Sequence, residues 1–126
     1  MKKEIAGEKI PLAVGPYSAA IKSGNMIFTS GQLPINPETN ALVNDSVKNA
    51  TKQIFDNIKV ILEKEGFTFD DIVKVTVFSS SMSYFAEFNE YYSTLFNKPY
   101  PARSFIEVSK LPKDALIEIE VIAIKN

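Results

Sequence analysis

The chain has 126 residues, 45% of them hydrophobic and 23% charged, which is the size and composition of one globular domain with a single core. Its net charge of −1 gives no electrostatic reason to expect a nucleic acid or an anionic membrane as a partner. Because histidine and cysteine are both absent, Ser-His and Cys-His catalytic sites, disulfides and the usual ligands of zinc, haem and iron–sulfur centres are excluded.

The N-terminal segment "MKKEIAGEKIPLAVGPYSA" has two lysines near its start but no sustained apolar run after them, unlike a signal peptide. No later apolar run approaches the roughly 20 residues that a membrane helix needs. We therefore expect a cytoplasmic protein without a membrane partner, folded as one domain over residues 1–126. Residues 2–5 are a candidate short strand.

Two β-rich runs and a helix follow. "SAAIKSGNM" and "MIFTSGQLPI" (residues 26–35) predict paired strands, with "SGN" as the hairpin turn, and Gly31 and Pro34 close the second run. Asp45 or Ser46 can then cap a helix that ends at Gly66. Its apolar residues recur in steps of three and four, on one helical face: Val47, Ala50, Ile54, Ile58 and Ile61.

The second half of the chain contains three strands and another helix. "DIVKVTVFSS" (71–80) is β-branched and alternating, which predicts a strand. "SYFAEFNEYYSTLF" (83–96) predicts a helix with an aromatic stripe, which favours a core face over a cofactor site. The stripe consists of Phe85, Phe88, Tyr92 and Phe96. Residues 103–108 and 116–124 predict two further strands, joined by a connection that contains Pro112.

The order ββ-α-β-α-ββ predicts an α+β fold, in which one sheet carries both helices on one face. No further helices are available to cover the other face of that sheet. An uncovered apolar sheet face would aggregate, so packing against other subunits is the most economical solution.

The last predicted strand has two different faces, because side chains alternate along a strand. One face is entirely apolar and suits packing under the helices: Ile117, Ile119, Val121 and Ala123. The other contains two carboxylates among apolar residues: Leu116, Glu118, Glu120, Ile122 and Ile124. Either the glutamates keep a partly solvated face soluble, or one of them lines a sheltered pocket. In such a pocket, desolvation would raise its pKa towards a range useful for proton transfer.

Arg103 is the one arginine among 14 basic residues. Its planar fork of donors can bind a carboxylate bidentately, which lysine cannot do, so it is either a structural ion-pair partner or a ligand clamp. Tyr17 lies in the turn-forming sequence "GPYS", and Ser30 and Gly31 end a strand in "FTSGQ". A glycine there allows a ligand to approach the backbone, although plain turn chemistry would explain these residues equally well.

Four stretches together resemble the RidA/YjgF family of reactive-intermediate deaminases: "AVGPYS", "NMIFTSGQLPINP", "VKVTVF" and "PARSFIEVSKLPKDALIEIEVIAI". The last carries the family's signature, Pro-x-Arg-Ser followed by Leu-Pro-Lys and a Glu-Ile-Glu run. The resemblance covers essentially the whole chain. It implies a chorismate-mutase-like α+β fold, with a single mixed sheet and two helices on one face. It also implies a barrel-like homotrimer with ligand clefts between subunits.

The activity implied by the resemblance is hydrolysis of 2-imino acids and their enamine tautomers, such as 2-iminobutanoate and 2-iminopropanoate. The products are 2-oxo acids and ammonia, and no metal or cofactor is expected. Arg103 corresponds to the carboxylate-binding arginine, Glu118 to the glutamate that holds the hydrolytic water, and Tyr17 to a residue that shields or hydrogen-bonds the substrate. Ser30, Gly31 and Asn89 match positions around the cleft, whereas Glu120 matches the signature without an implied chemical role.

Phe105 is a departure, because many members have a small residue, often cysteine, at this position. Its backbone could still bind the ligand, but a phenyl ring facing the cleft would shrink the pocket and alter the substrate range. Two other functions remain open. The same cleft could hold a small carboxylate for regulation without turnover, and relatives have been linked to RNA cleavage. The net charge and the absence of a basic–aromatic patch argue against a nucleic-acid partner.

Overall fold

The computed structural model describes all residues from 1 to 126. Its six-stranded sheet is built from β1 (Lys2–Ile5), β2 (Ala20–Ser23), β3 (Met26–Thr29), β6 (Ile72–Ser79), β7 (Ala102–Glu107) and β8 (Ile117–Ile124). A separate small hairpin consists of β4 (Ile35–Asn36) and β5 (Ala41–Leu42). The helices are α1 (Val47–Glu63) and α2 (Phe85–Tyr92).

The strand order across the large sheet is β1-β2-β3-β8-β6-β7. β6 and β7 are parallel and every other neighbouring pair is antiparallel, so the sheet is mixed, as predicted. β8 lies in the middle and β7 forms an edge. The predicted α+β fold is confirmed. Among the strands only those of the β4–β5 hairpin were not anticipated, because two-residue strands are too short to show a period of two.

α1 follows the sequence pattern closely. Of the two candidate caps, Ser46 is the one used, and its Oγ accepts a hydrogen bond from the Asn49 amide at 3.0 Å. The helix ends at Glu63, and Gly66 follows in a left-handed conformation with φ +75°. The five predicted apolar positions of α1 are at most 3% exposed.

α2 is shorter than predicted. A 3₁₀ turn occupies Met82–Tyr84, and the α-helix runs only from Phe85 to Tyr92. After it, the hydroxyl groups of Ser93 and Thr94 donate to the carbonyls of Glu90 and Tyr91, at 2.9 and 2.6 Å. Such local bonds compete with helix continuation, so the prediction of a helix to residue 96 was wrong.

The core lies between the sheet and the two helices. A cluster of 21 buried residues forms it, including the four inward residues of β8, which are at most 2% exposed. The opposite sheet face, which we call the open face, is covered by no element of the chain. Its apolar residues, exposed or half-buried, are Ile21, Met26, Phe28, Phe78, Ile106, Ile122 and Ile124. No helix is long and apolar enough to cross a membrane.

Candidate active site

Glu118 lines a cavity of about 670 Å³, together with three of the predicted site residues, Tyr17, Ser30 and Gly31. The strands explain why residues so distant in sequence meet there. Gln32 and Ile119 exchange two backbone hydrogen bonds of 2.8 and 3.1 Å, which extend the pairing of β3 with β8 by one bridge. This bridge holds Gly31 against β8, where the side chain of Glu118 reaches it.

The contact between Gly31 and Glu118 depends on the missing side chain of glycine. A Cβ atom at position 31 would lie 2.6 Å from Oε2 of Glu118 and 2.8 Å from its carboxyl carbon. The sequence predicted that Gly31 allows a close approach to the backbone. The group that approaches is the Glu118 carboxylate itself, which fixes where that carboxylate sits in the cavity.

Burial raises the pKa of the Glu118 carboxyl, and the neighbouring Glu120 carboxylate raises it further. Glu118 is half-buried, whereas Glu120, two residues along the same face, is exposed. Of the two alternatives for these glutamates, a sheltered pocket therefore describes Glu118 and a solvated face describes Glu120. A carboxylate with a raised pKa is a stronger base, which suits it to accept a proton from water.

Ser30 and Tyr17 form part of the rim of this cavity. The Ser30 hydroxyl donates a 2.6 Å hydrogen bond to the carbonyl of Ser18, so its oxygen can still accept a bond from a ligand. The Tyr17 side chain is 50% exposed, and its hydroxyl oxygen accepts a 3.4 Å bond from the Val14 amide. The phenolic proton of Tyr17 remains available to a substrate.

Asn44 holds the turn that leads into β8, a role the sequence did not reveal. Its Nδ2 donates to the carbonyl of Asp114 at 3.0 Å, and its Oδ1 accepts from the Leu116 amide at 3.0 Å. Lys113 and Asp114 in this turn have φ values of 58° and 57°, which are strained for residues other than glycine. Asn44 thus fixes a strained turn that ends four residues before Glu118.

Arg103 lies on the other side of the sheet from Glu118. It pairs with Val75, which pairs with Val121, so all three share the helix-facing side. Glu118 is opposite Phe78 on the open face. Two strand spacings and three residues separate the two backbones, a distance of about 14 Å. One chain therefore cannot bring both charged groups to one small substrate.

The guanidinium of Arg103 forms no ion pair within the chain. All four ion pairs of the chain use lysine, and no side-chain hydrogen bond involves Arg103. A structural ion pair, one of the two alternatives for this residue, is therefore not formed within the chain. Beside the guanidinium is a depression of about 380 Å³, lined by Asn89, Tyr92, Ser93, Tyr100, Pro101 and Arg103. The predicted site residue Asn89 thus belongs to the Arg103 half of the site.

Phe105 does not line this depression. Its side chain shares the helix-facing side with Arg103 and packs edge-on against Phe85 and Phe88, at centroid distances of 5.1 and 5.3 Å. The ring is half-buried between α2 and β7 and lines neither cavity. Period-two alternation put Phe105 and Arg103 on one face, but the sequence could not show that α2 occupies the space the ring fills.

Comparison with known proteins identifies the family. The model of the endoribonuclease L-PSP family matches residues 7–125. The chain belongs to this family, which includes the RutC, RidA and YjgF proteins. It is 50% identical over 126 residues to a RutC family protein of Pyrococcus horikoshii, with 100% of both chains covered. It is 47% identical over 129 residues to the 2-iminobutanoate/2-iminopropanoate deaminase of Escherichia coli K12, again with 100% of both covered.

Solved structures of this family have the same fold. The YjgF gene product of Escherichia coli superimposes with a TM-score of 0.93 at 46% identity, covering 98% of this chain and 99% of the other. RidA from an Antarctic Psychrobacter also superimposes with a TM-score of 0.93, at 41% identity, covering 98% and 99%. The family resemblance inferred from the signature sequences is confirmed, and with it the fold.

Proposed function

We propose that the protein hydrolyses 2-imino acids and their enamine tautomers, such as 2-iminobutanoate and 2-iminopropanoate, to 2-oxo acids and ammonia. The observation that carries this proposal is the half-buried Glu118 carboxylate, whose pKa is raised and which is fixed against Gly31 in a cavity. The relative named for this reaction, at 47% identity over its full length, supports the same choice.

The reaction requires a second copy of the chain. Glu118 and Arg103 lie on opposite faces of the sheet, with about 14 Å between their backbones, yet a clamped imino acid must contact both side chains. We therefore place the cleft between subunits, with Glu118, Tyr17, Ser30 and Gly31 from one and Arg103 and Asn89 from its neighbour. A homotrimer built around the open face would cover its apolar residues and create three such clefts.

Arg103 acts first in this scheme. Its guanidinium has five donors in a rigid fork and no acceptor within the chain, so it can bind the substrate carboxylate through two parallel hydrogen bonds. Holding the carboxylate fixes the adjacent imine carbon relative to the water. Arg103 thus contributes through proximity and orientation more than through the strength of binding.

Glu118 then acts as the base. It holds a water molecule and takes a proton from it as the water oxygen bonds to the imine carbon, while the C=N electron pair moves onto nitrogen. The protonated carboxyl returns that proton to nitrogen, which gives a carbinolamine. Glu118 then relays the proton of the new hydroxyl group to the same nitrogen. The C–N bond breaks with its electron pair on nitrogen while the oxygen forms the carbonyl bond, so ammonia leaves and the 2-oxo acid remains. The free phenolic proton of Tyr17 can hydrogen-bond the substrate during these steps.

A coupled assay tests the proposal. A pyridoxal-phosphate threonine dehydratase generates 2-iminobutanoate, and the added protein should accelerate release of ammonia and 2-oxobutanoate. Arg103→Lys should lose most of this activity, at least about tenfold, while its circular dichroism stays unchanged, because a point charge replaces the oriented fork. Binding of 2-oxobutanoate without acceleration in the wild type would instead identify a regulatory carboxylate-binding protein. Cleavage of a single-stranded RNA that is lost in Arg103→Lys would favour a nuclease.

A further inference from the structure

Arg103 is half-buried, yet no carboxylate of the chain neutralises its charge. A half-buried cation is normally neutralised by a carboxylate, because removing an unpaired charge from water is unfavourable. Arg103 has no ion pair and no side-chain hydrogen bond in the chain. Something else must stabilise the guanidinium and determine its direction.

Four aromatic rings surround it. The distances from the Arg103 Cζ atom to the ring centroids are 4.9 Å for Tyr92, 5.5 Å for Phe88, 5.6 Å for Phe85 and 5.9 Å for Phe105. All lie within the range of a cation–π interaction. We call Phe85, Phe88, Tyr92 and Phe105 the aromatic box.

The sequence builds the aromatic box from two elements. Phe85, Phe88 and Tyr92 are spaced by three and four residues, so they share one face of α2. Phe105 is two residues after Arg103 on β7, so both side chains point to the same side of the sheet. The rings also hold one another, because Phe105 packs edge-on against Phe85 and Phe88, and Phe88 stacks on Tyr92 at 5.3 Å.

Rings stabilise a guanidinium in a way that a carboxylate cannot. Their negatively charged faces attract the cation but offer no conventional acceptor to its N–H groups. The charge therefore stays uncompensated, and the five donors stay free for an incoming anion. An aspartate or glutamate at the same place would occupy those donors and compete with the carboxylate of the substrate.

We propose that the aromatic box is the positioning device of Arg103, which holds the guanidinium charged, oriented and free of any internal partner so that it can bind a carboxylate. The inference rests on the proposed role of Arg103 as the carboxylate clamp. Within the aromatic box, Phe105 is the positioning residue on which the arrangement depends most, since its ring supports both Phe85 and Phe88.

The test compares two matched substitutions. Phe105→Leu keeps an apolar side chain of similar size but removes the π face. Phe69→Leu makes the same change at another half-buried ring, which packs against Phe55 and Phe96 at centroid distances of 5.7 Å and makes no cation–π contact with Arg103. The chain has one arginine, so ¹⁵N–¹H spectra give a single Nε–Hε signal, which reports directly on the guanidinium. Affinity for 2-oxobutanoate is measured by calorimetry, and kcat and KM by the coupled assay.

We expect Phe105→Leu to move the Arg103 Nε–Hε signal downfield, since a shielding ring is lost, and to weaken 2-oxobutanoate binding by about fivefold to thirtyfold. KM should rise more than kcat falls, whereas Phe69→Leu should match the wild type in the Arg103 signal, in affinity and in kcat and KM. A Phe105→Leu protein with unchanged signal position and unchanged affinity would overturn the inference. If Phe105→Leu does not fold, Phe85→Leu replaces it, because the Phe85 ring is 40% exposed and its loss disturbs the core less. The position of the Nε–Hε signal and the affinity for 2-oxobutanoate then decide in the same way.

The failure of this inference is distinguishable from failure of the proposed function. A wild-type protein that binds 2-oxobutanoate through Arg103 but accelerates no hydrolysis would contradict the deaminase proposal alone, and the spectra and affinities would still test the aromatic box. An Arg103→Lys protein that binds 2-oxobutanoate as tightly as the wild type would overturn the inference, because the aromatic box would then have no clamp to position.

Discussion

At the scale of single residues, the candidate site depends on what is missing as much as on what is present. Gly31 has no side chain where the Glu118 carboxylate lies, and Arg103 has no carboxylate where a structural cation would have one. As a result, the Glu118 carboxylate and the Arg103 guanidinium are both half-buried and still accessible to a ligand. That combination is unfavourable for stability and useful for chemistry.

Glu118 and Glu120 should differ in function although they lie on the same face of β8. Glu118→Gln keeps the shape of the side chain but removes the base, so turnover should fall by at least about a hundredfold while 2-oxobutanoate still binds. Glu120→Gln should retain turnover. Because the Glu120 carboxylate raises the pKa of Glu118, its removal should lower that pKa, and the acid limb of the pH–rate profile should move to lower pH. An inactive Glu120→Gln beside a normal Glu118→Gln would show that the roles are assigned wrongly.

The raised pKa of Glu118 also predicts how stability depends on pH. The folded-state pKa lies above the unfolded value, so the protonated carboxyl favours folding. This contribution is fully present below the unfolded pKa and is lost as the pH rises through the folded pKa. Glu118→Gln, which cannot ionise, should therefore melt at a higher temperature than the wild type at pH 8.

The measurement is thermal unfolding of both proteins from pH 4 to pH 8, at one protein concentration because assembly affects the melting temperature. The difference between the two proteins should shrink as the pH falls towards 4. A Glu118→Gln protein that melts below the wild type at pH 8 would show that the carboxylate stabilises the fold, contrary to the direction of its pKa.

At the scale of elements, the site depends on how strands and turns are joined. The strained turn at Lys113 and Asp114 comes immediately before β8, and Asn44 bonds both to that turn and to the Leu116 amide. These bonds connect positions about 70 residues apart in sequence. They hold the segment from which β8 starts, and β8 is the strand that presents Glu118 to Gly31.

Asn44→Ala should therefore impair both stability and activity. It leaves a half-buried amide and a carbonyl without their partners, which costs about 1–3 kcal/mol. We also expect kcat to fall, because Glu118 is less well held. Asn44→Asp is the matched control, since it keeps an acceptor for the Leu116 amide and should lose less. The free energy of unfolding in urea and the coupled assay measure both effects, and an Asn44→Ala protein with normal stability would refute this role.

The sequence predicted those helices and strands in which burial of one face gives a regular spacing of apolar residues. Ile117, Ile119 and Val121 alternate with polar or half-buried residues because β8 has a core on one side only. It failed where local hydrogen bonds compete, as at Ser93 and Thr94, which end α2 early. It also failed for Asn44, since nothing in the sequence around an asparagine marks a partner about 70 residues away.

The aromatic stripe of α2 shows the same limit within the site. Its spacing predicted a core face, and Phe88 and Tyr92 are indeed at most 5% exposed. Phe85, however, is 40% exposed, and the rings that line Arg103 have a second function as its environment. The periodicity of α2 indicates that its aromatic face is buried. It does not indicate whether that face contacts aliphatic core residues or a cationic side chain.

At the scale of the whole molecule, the open face and the divided site require the same solution. The open face exposes Phe28 and Ile106, at 39% and 44%, and no element of the chain covers this side of the sheet. Arg103 and Glu118 lie on opposite sides of that sheet. Assembly of several copies would bury the open face and bring Arg103 of one copy close to Glu118 of another. We expect a trimer in solution, of roughly three times 14.0 kDa, by light scattering.

Mixing two inactive proteins tests whether the cleft is shared. Arg103→Lys retains Glu118, and Glu118→Gln retains Arg103, so a mixed trimer contains some clefts in which both wild-type groups meet. When equal amounts are unfolded together and reassembled, about a quarter of the clefts should be intact, and activity should recover to about a quarter of the wild-type value. Each variant reassembled alone controls for residual activity. If both groups came from one chain, no mixture could contain an intact site, and the mixed sample would stay as inactive as its components.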